Sequence, residues 1–244
     1  MTVCHTCSQT GVSYELKRSK RKTVSIKIGA SGQVIVFAPN RLAIKEIEGI
    51  LDQKSHWIHE KKEKMISRQN LYHKRSFEEN ELFFFLGEAY PLKWEADLQE
   101  RSKIIFADRT FYYRGERKKP NIQQALIRFY KSEGTKVIKS KVEKHRSFFQ
   151  NHPNQVKAKE QKSIWGSCTG TNNLYFNWRL LMAPQWVLEY VILHEMTHLD
   201  HKNHSKHFWT KLESVCPDYR EAKGWLAENG FLLDLENQAV KKII

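Results

Sequence analysis

The stretch His194-Glu195-Met196-Thr197-His198 limits what this chain can fold into more than any other. Two imidazoles four residues apart share one face only on an α-helix, where both can reach a single point in front of it. Such a pair suits a tetrahedral Zn²⁺ with ligand bonds of about 2.0–2.1 Å. The glutamate between them projects about 100° away from the first histidine, beside such an ion rather than onto it, where it can take a proton from water. Chance alone supplies roughly 0.04 such matches in a chain of this composition, so the spacing is informative.

The surroundings agree with a helix. Ala183-Pro184 provides a start, because proline is tolerated in the first turn. Val187, Tyr190 and Val191 form a stripe that runs into His194 and His198, and Leu188, Ile192, Met196 and Leu199 line the neighbouring side. A helix apolar nearly all round is a buried one. A zinc that does chemistry needs a third protein ligand and an open position. His201, His204 and His207 compete for it with downstream acids such as Glu213 and Glu221. Asp200-His201-Lys202-Asn203 reads as the helix exit, with Asn203 suited to a left-handed conformation. Ser205 reads as the N-cap of a second helix running to about Cys216, with Phe208, Trp209, Leu212 and Val215 as its core face. His204 then stands at the turn, free to swing back, and is the favoured third ligand.

Upstream, the pattern changes character more than once. Val24, Ile26 and Ile28 alternate with polar residues, Gly29-Ala30-Ser31-Gly32 supplies a turn, and Val34–Phe37 follows, so residues 12–40 predict a hairpin. Ile44, Ile47, Leu51 and Ile58 set a helical stripe within 42–69, and strand-like pieces return over 82–114. Ile122, Leu126, Phe129, Val137 and Ile138 mark one or two amphipathic helices over 121–148, with Gly134 weakening the middle by about 1 kcal/mol relative to Ala. A second hairpin turns at Gly170-Thr171-Asn172-Asn173, with Trp165 and Trp178 expected to pack on the metal helix and Cys168 to be a buried thiol. The reading is an α+β chain: a β-rich N-terminal domain with one long helix over 12–117, then a small catalytic domain over 118–244 built on the buried H-E-x-x-H helix. No internal repeat stands out. Cys4-His5-Thr6-Cys7 has no second pair to complete a zinc site and reads as a frayed tail.

A second set of residues carries a resemblance. Lys162-Ser163-Ile164-Trp165-Gly166-Ser167-Cys168, Asn177-Trp178-Arg179-Leu180, the H-E-x-x-H stretch and Asn203-His204-Ser205 with Phe208-Trp209 are similar to the YgjP-like metallopeptidase family, itself related to the SprT-like zincins. Arg18-Ser19-Lys20-Arg21-Lys22-Thr23, Ala38-Pro39 and Trp57-Ile58 extend the resemblance to nearly the whole chain from about residue 12. It implies one zinc ion on His194, His198 and His204, with Glu195 as the acid/base. One departure is Ile164, where a basic residue is usual in relatives. Members carry two labels, metallopeptidase and metal-dependent nucleoside-triphosphate (UTP) pyrophosphatase.

The expectation is therefore a zinc-dependent hydrolase, first of all a peptidase acting on protein or peptide. The 41 basic and 27 acidic residues leave a net charge of +14. That charge favours polyanions and keeps nucleic acid or nucleotide as candidate partners, including a DNA-associated protease of SprT-like type. No apolar run approaches a membrane span, the N-terminus lacks a secretory pattern, and four cysteines do not make a disulfide framework. A cytoplasmic setting with no membrane partner is expected.

Overall fold

Alternation builds the first sheet. In the computed structural model, which describes residues 3–8, 10–29, 32–69, 72–95, 102–161 and 163–239, β4 (Val34–Pro39) turns Val34, Val36 and Ala38 inward and leaves the residues between them half-buried. β3 (Ser25–Ile28) pairs with it antiparallel, as the hairpin pattern predicts. β2 (Ser13–Ser19) pairs with the other edge of β4 in parallel, and β1 (Val3–Thr6) pairs antiparallel with β2. The residues around Cys4 and Cys7 are thus not a frayed tail. Cys7 is fully buried in a core with Tyr14, Val36, Ile47, Leu51 and Ile58. Of the expected hairpin turn, Ala30 and Ser31 lie outside the described residues. The helical stretch over 42–69 is two helices, α1 (Ile44–Gln53) and α2 (Ser55–Gln69), interrupted at Lys54.

The chain divides into two compact units, Met1–His73 and Lys74–Ile244. β5 (Tyr72–Lys74) spans the division. The division thus falls well before the expected one between residues 117 and 118. The reason is aromatic packing within the second unit. Its first sheet comprises β6 (Leu82–Phe85), β7 (Glu88–Glu95), β8 (Lys103–Ala107) and β9 (Thr110–Arg114). Phe85 and Phe111 bring their rings to 5.7 and 5.4 Å from Phe129 of α3 (Lys119–His145), and the buried Tyr130 hydroxyl donates to the Phe84 carbonyl at 2.6 Å. Residues 82–114 thereby share one hydrophobic core with the metal helix.

α3 is one helix of 27 residues, and Gly134 has a packing role in it. A Cβ there would come within 2.7 Å of Leu181 Cδ2, so the missing side chain lets the segment before the metal helix sit against α3. The second sheet of this unit has the order β10-β12-β11. β10 (Gln155–Lys159) lies parallel to β12 (Asn173–Asn177), and β11 (Gly166–Cys168) forms the expected antiparallel hairpin with β12. Trp178 follows, fully buried and stacked at 5.7 Å on Tyr130.

Three helices close the unit: α4 (Gln185–Asp200), α5 (Lys206–Val215) and α6 (Tyr219–Asn229). α4 buries Val187, Leu188, Val191, Ile192, Met196 and Leu199, two faces of apolar residues as read from the sequence. Its start is Pro184, whose carbonyl accepts from the amides of Val187 and Leu188. A last strand, β13, covers Asn237–Ala239.

The two four-stranded sheets share a plan. The first runs β1-β2-β4-β3 and the second β6-β7-β9-β8. In each, the outer pairs are antiparallel and the middle pair is parallel, and a helix follows. The repeat is in topology and leaves no mark in residue pattern.

Candidate metal centre

α4 brings His194 and His198 to one face, one turn apart, with ring centres 5.1 Å from each other. The chain then leaves the helix at His201, whose extended φ of −129° ends the turn. Asn203 is not left-handed. Its side-chain oxygen instead accepts from the Ser205 amide at 3.3 Å, a local turn that a short polar side chain supplies. The turn returns His204 to the helix, with its ring 5.2 Å from His194 and 4.6 Å from His198. α5 follows from the Ser205 N-cap, and Phe208 packs edge or tilted against all three rings at 4.5–5.0 Å. Trp209 stacks on His204 at 5.5 Å.

One ligating atom from each of His194, His198 and His204 lies within 4.8 Å of the others. The Nε2 atoms of His194 and His204 are 3.2 Å apart. Two nitrogens bound to one tetrahedral zinc at about 2.05 Å stand about 3.3 Å apart, so this spacing fits that ion. His198 Nδ1 lies 3.0 Å from the His201 carbonyl oxygen. A carbonyl only accepts, so the ring donates from Nδ1 and keeps Nε2 as a lone pair, the form a metal needs. His194 is held by packing between Tyr190 and Phe208, and its Nδ1 is buried without a partner among the described residues. Burial, reinforced by His198, His204 and Lys223, pushes its pKa down to about 3. It therefore stays neutral, as a ligand must.

Glu195 is buried at 6% exposure, one residue along from the first imidazole. It packs directly on Gly166 of β11, where an added Cβ would meet its Cγ at 2.6 Å and Oε1 at 2.7 Å. Burial raises its carboxyl to about 8, opposed by a hydrogen bond from the Cys168 backbone. A carboxyl tuned to neutrality is suited to both accepting and delivering a proton.

The other sequence candidates are placed elsewhere. His201 and His207 stack on each other at 6.5 Å, and Glu213 pairs with Arg220 at 2.7 Å. Glu221 lines a hollow with His145 and Cys216 on another side of α4. Sequence reasoning missed Gly166 and the Cys168 amide as parts of the site. The Trp-Gly-Ser-Cys element did hold a signal, a glycine in a strand before the metal helix, which marks a close backbone approach. The Cys168 thiol is half-buried, with Lys202 Nζ 3.8 Å from its sulfur.

No curated protein and no solved structure matches the chain. A family model does: the YgjP-like metallopeptidase domain, matched over residues 22–229. That span takes in β3 and β4 of the first sheet, the whole of the second four-stranded sheet, the β11–β12 hairpin and all three histidines, and the chain belongs to the YgjP-like metallopeptidase family.

Proposed function

We propose that this member is a zinc-dependent peptidase, with one Zn²⁺ held by His194, His198 and His204 and with Glu195 as the acid/base. The observation that carries the reading is the convergence of three imidazoles at zinc spacing beside a buried carboxyl seated on Gly166. Zinc, when bound, supplies a Lewis acid that polarises the scissile carbonyl and acidifies water. The chain's own part is proton traffic. Glu195 removes a proton from the attacking water and delivers it to the leaving amine. Its carboxyl, raised by burial to about 8, ionises more readily next to a cation. Phe208 and Trp209 hold the imidazoles from behind. The free cysteines, of which Cys4 is exposed and Cys168 and Cys216 half-buried, suit a reducing compartment, and we place the protein in the cytoplasm.

The net charge of +14 supports a second reading, in which the same water attacks a phosphoanhydride of a nucleoside triphosphate. A three-histidine site lacks the clustered carboxylates of Mg²⁺-nucleotide chemistry, so it ranks second. One experiment separates them. Zinc-loaded protein is mixed with unfolded proteins and the common nucleoside triphosphates, with and without DNA, and products are identified by mass spectrometry. The Glu195→Gln protein, expected to keep its zinc and to lose at least about a hundredfold in turnover, is the blank. New peptides absent from the blank support the peptidase, and their dependence on DNA shows what the basic surface serves. Pyrophosphate and nucleoside monophosphate in place of peptides overturn it.

A further inference from the structure

Two hollows flank the Ile164-Trp165 pair, and they differ in chemistry. The larger, about 510 Å³, sets Glu160, Gln161, Arg179 and Asp234 against the apolar Phe231 and Leu233. Glu160 is already engaged there by Arg179 and by the Trp178 indole N–H. The smaller, about 360 Å³, is walled by Ile164, Trp165, Val191, Leu226 and Ala227. His194 and Glu195 line the smaller hollow and not the larger one. A group entering it is therefore in contact with the acid/base. Its volume lies at the low end of the 300–1,000 Å³ typical of small-molecule sites, which suits one side chain.

We infer that the smaller hollow is the specificity pocket for a bulky apolar side chain next to the scissile bond, and that Ile164 decides this choice. The inference rests on the peptidase reading. Ile164 is 49% exposed, a large apolar residue facing water, at the lip shared by both hollows. A substrate side chain seated against it removes that surface from water, with the already buried Val191 and Leu226 as the apolar wall behind, which is the driving force for choosing leucine, methionine or phenylalanine. Among the described residues of the lining, Lys223 adds one ammonium. Its head is exposed and sits 5.2 Å over the Trp209 ring, so it stays solvated and screened at the rim.

The test uses the zinc-loaded full chain and a proteome-derived peptide library, with cleavage sites read by mass spectrometry. Wild type is expected to enrich leucine, methionine or phenylalanine at one position beside the cut. Ile164→Lys, at an exposed site that folding does not need, is expected to lower kcat/KM for such peptides about ten- to hundredfold with zinc affinity and melting temperature unchanged. Ala227→Trp, which fills the hollow, is expected to move the preference to glycine and alanine. Independently of turnover, the Ile164, Val191 and Leu226 methyl resonances are expected to shift with N-acetyl-phenylalaninamide and to stay put with N-acetyl-aspartate amide. Cleavage with no preference beside the cut, or a preference that neither variant alters, overturns the pocket while leaving the peptidase. Selection of aspartate or glutamate overturns it in favour of Lys223. Absence of any cleavage by wild type overturns the peptidase reading itself.

Discussion

His204 and Gly166 make different demands on the same site, and substituting each should have a different signature. His204→Ala removes one of three convergent donors and is expected to weaken zinc binding by more than the ten- to hundredfold loss typical of an outer-shell change. Competition against a chromogenic chelator measures it, and unchanged affinity would move the third ligand to another residue. Gly166→Ala places a methyl where Glu195 now lies, since the built Cβ meets the carboxyl carbon at 2.9 Å. The expected result is a stability loss of about 1–3 kcal/mol and a drop in kcat, with zinc affinity kept. Retention of full activity would show that the carboxyl does not depend on that seat. The pairing of His194 with His198 was legible because four-residue spacing on a helix puts both on one face. Gly166 and the Cys168 amide were not, because one acts by lacking a side chain and the other through its backbone.

Between elements, α3 and α4 are tied by a half-buried ionic cluster in which Glu189 of the metal helix meets Lys141 at 3.0 Å and His145 at 2.6 Å. Burial opposes the Glu189 charge, but the hydrogen bonds from Lys141 and His145 outweigh it and hold the carboxyl below its ordinary value of 4.5. The unfolded chain then binds the proton more readily than the folded one. The stabilisation is complete above pH 4.5 and drains away as pH falls toward the depressed value. Glu189→Gln is expected to cost about 1–2 kcal/mol at neutral pH and to flatten part of the acid limb of a melting-temperature profile. Part of the limb remains, because Asp200, also held below its usual value, accepts from the Gln150 and Asn151 amides. An unchanged acid limb would remove Glu189 from the account. Elements with a local pattern, such as α4, α5 and the β11–β12 hairpin, could be read from residues alone. The parallel pairs β2–β4, β7–β9 and β10–β12 could not, since their partners are separated by other elements and no turn signal joins them. The same holds for β1, whose four residues carry no strand pattern of their own and gain their order from pairing with β2.

Over the whole molecule, residues Met1–His73 and Lys74–Ile244 each have a hydrophobic core of their own. All three histidines belong to the second. Calorimetry is therefore expected to resolve two transitions, of which zinc raises only one. At a thousandfold excess over its dissociation constant, zinc adds about 4 kcal/mol to the unit that binds it. A single shared transition, or equal shifts of both, would count against separate cores. The boundary escaped sequence reading because Phe85, Phe106 and Phe111 look like any strand residues until Phe129 is seen against them. The two like-ordered sheets bear on ancestry. Equal strand order, equal strand senses and a helix after each are what tandem duplication leaves once side chains have drifted apart. On that history one copy took on the burden of supporting the metal helix and kept its aromatic core. The other carries none of the three histidines, so its residues were free to drift without cost to the metal-binding cluster.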